Sequence, residues 1–287
     1  MFNNYNYTFA IFGYPIKHSQ SPRIYQLFAN QFHISSHIYG KIQTSREYFA
    51  DRLNEFFSGS IAKGANITMP FKQQAYSLAN ILTERALLAG SVNTLKKLEN
   101  DHLVGDNTDG IGLLSDLKRL NLIHPQDNIL ILGSGGAAYG IILPLLYYNC
   151  SIIVTNRTFI RAQNMALRFR AYGNITAVDR NRLSELRVDL IINATSCSVN
   201  GIRPFLPRKV ISSHTCCYDL FYQKNLTPFL QWGKEQGAKY CADGLGMLVA
   251  QAAYAFLLWY GVLPEISSVI KTLQDEQRSS GEGHNKF

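Results

Sequence analysis

Short apolar runs alternate with amphipathic stretches along almost the whole chain. Phe9-Ala-Ile-Phe-Gly13 reads as a strand closing in a glycine turn, and a helix starts near Ser21-Pro22, with Ser21 as its cap and Pro22 in the first turn. Strand-like His37 to Ile42, a helix over about 45–57, strand-like Ala65 to Thr68 and a helix from about Phe71 continue the rhythm. Asn93 to Leu98 and His102 to Gly105, joined by Glu99-Asn100-Asp101, read as a β-hairpin. A helix from Asp109 to Leu120 then leads into a second series of strands: Ile129–Leu132, Ile152–Val154, Thr176–Val178, Leu190–Asn193, Cys217–Leu220 and Lys239–Cys241. After Asp243-Gly244 the pattern turns helical, over Leu245 to Tyr260 and from Pro264 to about Leu273. The order predicts an α/β fold of two domains: an N-terminal, mostly parallel sheet domain and a Rossmann-type nucleotide domain. The expected boundaries are 1–108 plus 244–273 for the first and 109–243 for the second, with 274–287 a polar, disordered tail. Ligands in such sheets sit beyond the carboxyl ends of the strands, so the active site is expected in the cleft between the domains.

The chemistry most legible from residues lies in the second series. The apolar run Ile129–Leu132 is followed by Gly133-Ser134-Gly135-Gly136-Ala137 and the opening of a helix. Glycines there permit a tight turn and close backbone approach to a pyrophosphate, and the helix N-terminus favours its charge. A glycine loop alone also occurs as a plain strand–helix connection. The end of the next strand sharpens the reading, because NAD-selective folds place Asp or Glu there for the ribose 2′-hydroxyl. This chain has Asn156-Arg157-Thr158, with Arg161 one turn later. Guanidiniums match phosphate oxygens where a carboxylate would repel them, so the expected cofactor is NADP.

Composition narrows the class. The chain has 287 residues, 46% apolar and 17% charged, which suits a globular enzyme of two domains rather than a disordered or fibrous chain. The formal charge of +8 is scattered without a Lys/Arg run or zinc-finger spacing, so no nucleic-acid partner is expected. Five cysteines form no C-x-x-C pair and read as free thiols in a reducing compartment. Met1 to Tyr7 lacks a basic segment followed by an apolar one, and Met247 to Tyr260 is too short to cross a bilayer. The expectation is a cytoplasmic protein without a membrane partner, as monomer or homodimer. No His/Cys/Asp/Glu set has ligand spacing, so no metal is expected.

Polar residues cluster where first-domain strands end. Ser19 and Ser21 offer hydroxyls beside a helix start, a seat for a carboxylate or a simple N-cap. Thr68 ends a further strand, Lys72 follows Pro70 into the next helix, Asn93 stands at the start of the hairpin, and Asp109 opens the interdomain helix, where by itself it reads as a cap.

Nine segments in order resemble the shikimate dehydrogenase family over about residues 10–273: Ser19-Gln-Ser-Pro22, Asn66-Ile-Thr-Met-Pro-Phe-Lys72, Gly90-Ser-Val-Asn-Thr94, Asp106-Asn-Thr-Asp-Gly110, Gly133-Ser-Gly-Gly-Ala137, Asn156-Arg-Thr158, Asn193-Ala-Thr-Ser196, Tyr218-Asp219 and Asp243-Gly-Leu-Gly-Met247. The resemblance implies NADP-dependent reduction of 3-dehydroshikimate to shikimate. It implies that Ser19 and Ser21, helped by Tyr222, bind the substrate carboxylate. It places Thr68, Lys72, Asn93, Asp109 and Gln251 around the ring hydroxyls, with Lys72 and Asp109 as the catalytic pair. It gives the pyrophosphate to Gly133, Ser134, Gly135, Gly136 and Ala137, and the 2′-phosphate to Asn156, Arg157, Thr158 and Arg161. Leu220 and Gly244 then lie near the nicotinamide. Two other readings are a dual quinate/shikimate dehydrogenase, which Arg157 disfavours, and a non-catalytic metabolite or NADP sensor on the same fold.

Overall fold

The computed structural model describes residues 5–282. The expectation for 283–287, and the part of the export reading that rests on 1–4, lie outside them. The chain divides into two compact units, Met1–Gly112 with Val249–Val269 and Leu113–Leu248 with Ile270–Phe287. Sequence reasoning seeks the boundaries in loops, at 108 and 243. They fall instead after Gly112 and Leu248, and the third falls after Val269 rather than at 273, each inside a helix, because a continuous helix gives no local sign of where its packing partners change.

The first unit holds β1 (Phe9–Gly13), α1 (Ser21–Gln31), β2 (Tyr39–Gln43), α2 (Phe49–Ser58), β3 (Gly64–Ile67), α3 (Lys72–Leu78), β4 (Ile81–Leu82), α4 (Glu84–Ala89), β5 (Thr94–Lys97), β6 (Leu103–Asp106) and the start of α5 (Asp109–Arg119). Its strands run β2-β1-β3-β5-β6-β4. β1 pairs in parallel with β2 and β3, and the β5–β6 hairpin enters antiparallel against β3. β1 is buried along its whole length, as an inner strand covered on both faces must be. On one side Ala10 and Phe12 pack with Phe49, Leu53 and Phe56 of α2. On the other, Phe9 stacks 4.4 Å from Trp259 and 4.8 Å from His37.

His37 Nδ1 lies 2.8 Å from the Tyr260 hydroxyl, and its Nε2 is buried without a protein partner. Burial holds its pKa down at about 4, against 6.5 in an open chain. The unfolded chain therefore takes up a proton below about pH 6.5 that the folded ring refuses until about pH 4. Stability falls as pH drops through that window, by on the order of 2–3 kcal/mol, and is untouched above it. His37→Phe, which keeps a ring in the stack, is expected to lose several degrees less in Tm between pH 7 and pH 4.5 than the parent. Equal losses in the two proteins would show that His37 is not the titrating group.

The second unit holds β7 (Asn128–Leu132), α6 (Gly136–Tyr147), β8 (Ser151–Thr155), α7 (Phe159–Phe169), β9 (Ile175–Ala177), β10 (Leu190–Asn193), β11 (Cys216–Asp219), α8 (Pro228–Glu235), β12 (Tyr240–Asp243), most of α10 (Ser267–Glu282) and the first turn of α9 (Leu245–Tyr260). The strands are all parallel, in the order β12-β11-β10-β7-β8-β9. Counted from β7, that is the doubly wound dinucleotide order, with its reversal between β7 and β10. Leu130, Leu132, Ile191 and Cys217 pack against Phe229, Leu230 and Trp232 of α8.

Three differences from the sequence reading have local causes. The last helix does not stop near Leu273; α10 continues to Glu282 through Gln274 to Arg278, good helix formers that include an Asp275–Arg278 ion pair at 3.8 Å. The segment from 274 to 282 is therefore helical rather than a disordered tail. β4 and α4 are additions to the expected elements, although the cap signals are present: Thr83 Oγ1 accepts from Ala86 N at 3.3 Å, and Gly90 closes the helix at φ 64°. Ser21 is not the cap of α1. Gln20 holds that position without a side-chain hydrogen bond, and Ser21 is the first helical residue.

Candidate active site

In the first unit the ends of β1, β3 and β5 bring together most of the expected residues. Ser19 Oγ lies 3.2 Å from Ser21 Oγ and accepts from the Ser21 backbone N–H at 3.3 Å. Ser21 does not cap its helix, and its buried hydroxyl lies against Ser19 Oγ. Ser21 is therefore not a simple N-cap. Thr68 follows β3, its backbone N–H bound to Phe12 at 2.9 Å. Its methyl lies where a Cβ on Gly13 would stand.

Lys72 opens α3, and its Nζ donates to Asp109 Oδ2 at 2.5 Å. Asp109 does not cap α5. Its carboxylate faces Lys72 and the Asn93 amide, whose Nδ2 donates to Oδ1 at 2.8 Å, while its own N–H is satisfied by Asn107 Oδ1 at 3.2 Å. The Asp109 side chain is 10% exposed and that of Lys72 28%. The pair is therefore largely dehydrated yet open enough for a ligand. Asn93 is held in one orientation, since its Oδ1 accepts from the Thr108 N–H at 2.9 Å and from the Thr94 hydroxyl at 2.9 Å. Gln251 on α9 joins through Oε1, 3.4 Å from both Asn93 Nδ2 and Thr108 Oγ1. Asn93, Lys72, Asp109 and Gln251 thus belong to one connected polar set. Sequence reasoning missed the members that connect it, Tyr39, Asn66, Thr94 and Thr108; of these, Asn66 and Thr94 carry the signal of a buried polar residue inside a strand.

In the second unit the glycine loop leaves β7. Gly133 adopts φ 102°, a conformation that L side chains rarely reach, and binds the Thr155 carbonyl at 2.8 Å. A Cβ added to Gly135 or Gly136 would meet nothing within 4 Å. The loop therefore encloses open space in front of the α6 N-terminus, whose N-cap Gly135 supplies no side-chain acceptor. Ser134 Oγ is buried there without a protein partner. Free helix N–H groups, an unmet hydroxyl and room for an anion fit the pyrophosphate of a dinucleotide. Asn156 Nδ2 donates to the Thr158 carbonyl at 3.0 Å, and Thr158 is the N-cap of α7. Arg157 and Arg161 are exposed and form no ion pair among the described residues. Two uncommitted guanidiniums fit a 2′-phosphate better than a bare ribose.

The far side of the nucleotide site rests on Asp219, wholly buried at the end of β11. Its carboxylate accepts from Ser198 Oγ and Thr227 Oγ1, both at 2.6 Å, and from Asn193 Nδ2 and the Phe221 N–H, both at 3.1 Å. These bonds tie the loop after β10 to the turn carrying Leu220 and to the cap of α8. Gly244 presses on that turn: a Cβ there would overlap the Leu220 carbonyl. Burial raises the pKa of Tyr222, with the Asp243 charge adding to it, and burial likewise raises that of Asp243. Among the described residues no group of three or more His, Cys, Asp or Glu could hold a metal, and no helix is long and apolar enough to cross a membrane.

Residues 11–95 match the shikimate dehydrogenase substrate-binding domain, 118–204 the shikimate/quinate 5-dehydrogenase family, and 244–274 the shikimate 5′-dehydrogenase C-terminal domain. Among solved structures, an Ael1 enzyme from Pseudomonas putida is 38% identical, with 92% of this chain and 97% of that one covered and a TM-score of 0.87. Shikimate 5-dehydrogenase from Thermus thermophilus, in complex with NADP(H) and shikimate, is 30% identical over 95% of this chain and 98% of that one, with a TM-score of 0.81. Shikimate dehydrogenase from Aquifex aeolicus is 30% identical over 96% and 100%, with a TM-score of 0.82.

Proposed function

Because the chain belongs to the shikimate dehydrogenase family, we propose that it interconverts 3-dehydroshikimate and shikimate with NADP, a step of chorismate and aromatic amino-acid biosynthesis. The observation that carries this reading is the contact of Lys72 with Asp109, itself braced by Asn93. NADPH, when bound, supplies the hydride. Reduction of the 3-keto group leaves an alkoxide, and the Lys72 ammonium stabilises that charge and donates the proton to the C3 oxygen. Asp109 holds the ammonium in place and accepts from a ring hydroxyl. Asn93, Thr68 and Gln251 orient the remaining hydroxyls, and Ser19 and Ser21, with Tyr222, take the carboxylate. In the oxidative direction Lys72 takes the hydroxyl proton back. Gly133, Ser134, Gly135, Gly136 and Ala137 would hold the pyrophosphate, and Asn156, Arg157, Thr158 and Arg161 the 2′-phosphate. Leu220 and Gly244 would line the nicotinamide seat.

Five free thiols among the described residues suit a reducing cytoplasm. The scattered positive charge suits an acidic metabolite and a phosphorylated cofactor rather than a nucleic acid.

The test is absorbance at the nicotinamide band with purified protein, shikimate or quinate, and NADP or NAD. Shikimate with NADP is expected to be the preferred pair. Equal turnover of quinate would favour the dual enzyme, and no oxidation at mildly alkaline pH would favour the sensor. Arg157→Ala should raise the KM for NADP about 10- to 100-fold, the worth of one charge-assisted phosphate contact, while leaving the KM for NAD unchanged. A parallel rise with both cofactors would remove Arg157 from the 2′-phosphate site.

A further inference from the structure

Tyr39 lies outside every set of residues that the family resemblance assigns, yet its hydroxyl heads the chain of hydrogen bonds that ends at Asp109. Its hydroxyl donates to Asn66 Oδ1 at 2.7 Å. Asn66 Nδ2 then donates to Thr94 Oγ1 at 3.2 Å and to the Asn93 carbonyl at 3.4 Å. The single Thr94 proton goes to Asn93 Oδ1 at 2.9 Å, and Asn93 Nδ2 faces Asp109 Oδ1 at 2.8 Å. A hydroxyl has one proton to give, so the sense of each bond follows from the one before it.

The ring that carries the hydroxyl is held firmly. Tyr25 stacks on it with centroids 4.5 Å apart at 16°, and His37 lies near parallel at 14° and 6.0 Å. β2 is the edge strand, and its Tyr39 reaches past β1 to Asn66 on β3. Such a reach is useful only if the hydroxyl arrives in a fixed place. Burial also holds the phenol pKa well above its ordinary value, so it remains a donor across assay conditions.

We propose that Tyr39 is a positioning residue: it anchors the amide ladder that aims Asn93 at Asp109. This rests on the shikimate reading of the site, and it assigns Tyr39 no contact with the reacting atoms.

Tyr39→Phe keeps the stacked ring and removes only the hydroxyl. The expected result is a rise of about three- to tenfold in the KM for shikimate, the worth of one net hydrogen bond, with the KM for NADP unchanged. In an Asn66→Ala background the same change should add less than about twofold, since paired residues do not act additively. In the ligand-free protein, the side-chain amide resonances of Asn66 and Asn93 should shift in a ¹⁵N correlation spectrum. Unmoved resonances, wild-type KM, or effects of the two substitutions that simply multiply would each overturn the proposal. Should the wild type oxidise no shikimate, the functional reading falls, and the resonances alone then judge whether Tyr39 orders the ladder.

Discussion

Lys72→Ala is expected to lower kcat for shikimate oxidation by about 10²–10⁴-fold, the range for removing a positioned general acid–base group. The truncation deletes the donor that meets Asp109 at 2.5 Å and leaves no other ammonium in the connected polar set. The residues assigned to NADP lie in the second unit, so its dissociation constant should stay within about twofold, a difference below roughly 0.5 kcal/mol. Asp109 keeps its bond from Asn93, which limits the cost of leaving a dehydrated carboxylate without its cation. Initial rates at saturating shikimate and NADP, a fluorescence titration with NADP, and a melting curve separate chemistry from binding and folding. A variant that turns over within tenfold of the parent would remove Lys72 from proton transfer.

Asp219→Ala is expected to cost more than about 4 kcal/mol of stability, which places it among the exceptional single substitutions. Four donors converge on a carboxylate with no exposure, and each one stranded in a dry interior loses about 1–3 kcal/mol. The melting temperature should fall by roughly 10 °C or more. Asp219→Asn keeps the shape, but its amide group must oppose the Ser198 or Thr227 hydroxyl. Those hydroxyls can rotate to become acceptors, so about half the loss is expected. Urea unfolding of the three proteins measures this directly. A loss below about 1 kcal/mol for the alanine variant would mean that the loops relax to find other partners. The buried carboxylate would then not be what holds the turn around Leu220.

Much of this was legible in the linear order of residues. Side-chain periodicity is a local property, so β1, α1 and the six parallel strands of the second unit could be located to within a few residues. The glycine loop after β7 was readable because backbone approach and positive φ leave few substitutes at Gly133. The absence of an acid near Arg157 was readable because a 2′-phosphate and a carboxylate exclude each other by charge. The motif order identified the family and named Lys72 and Asp109. What local pattern could not supply were the unit boundaries inside α5 and α9, the helical run to Glu282, and α4, whose six residues are too short for a periodic signal.

Tertiary structure alone decided what the polar residues do. By sequence, Ser21 and Asp109 were equally good helix caps, and a serine or aspartate before a helix satisfies that role without a partner elsewhere. Folding puts other partners on each: Ser19 on the Ser21 hydroxyl, and on the Asp109 carboxylate the Lys72 ammonium at the start of α3 and the Asn93 amide just before β5. Residues 37 positions apart meet because parallel strands deliver their carboxyl ends to one edge of the sheet. Residue order thus determined the parts and their cofactor chemistry. Which side chains share protons depends on distances across the sheet, and no stretch of neighbouring residues encodes those.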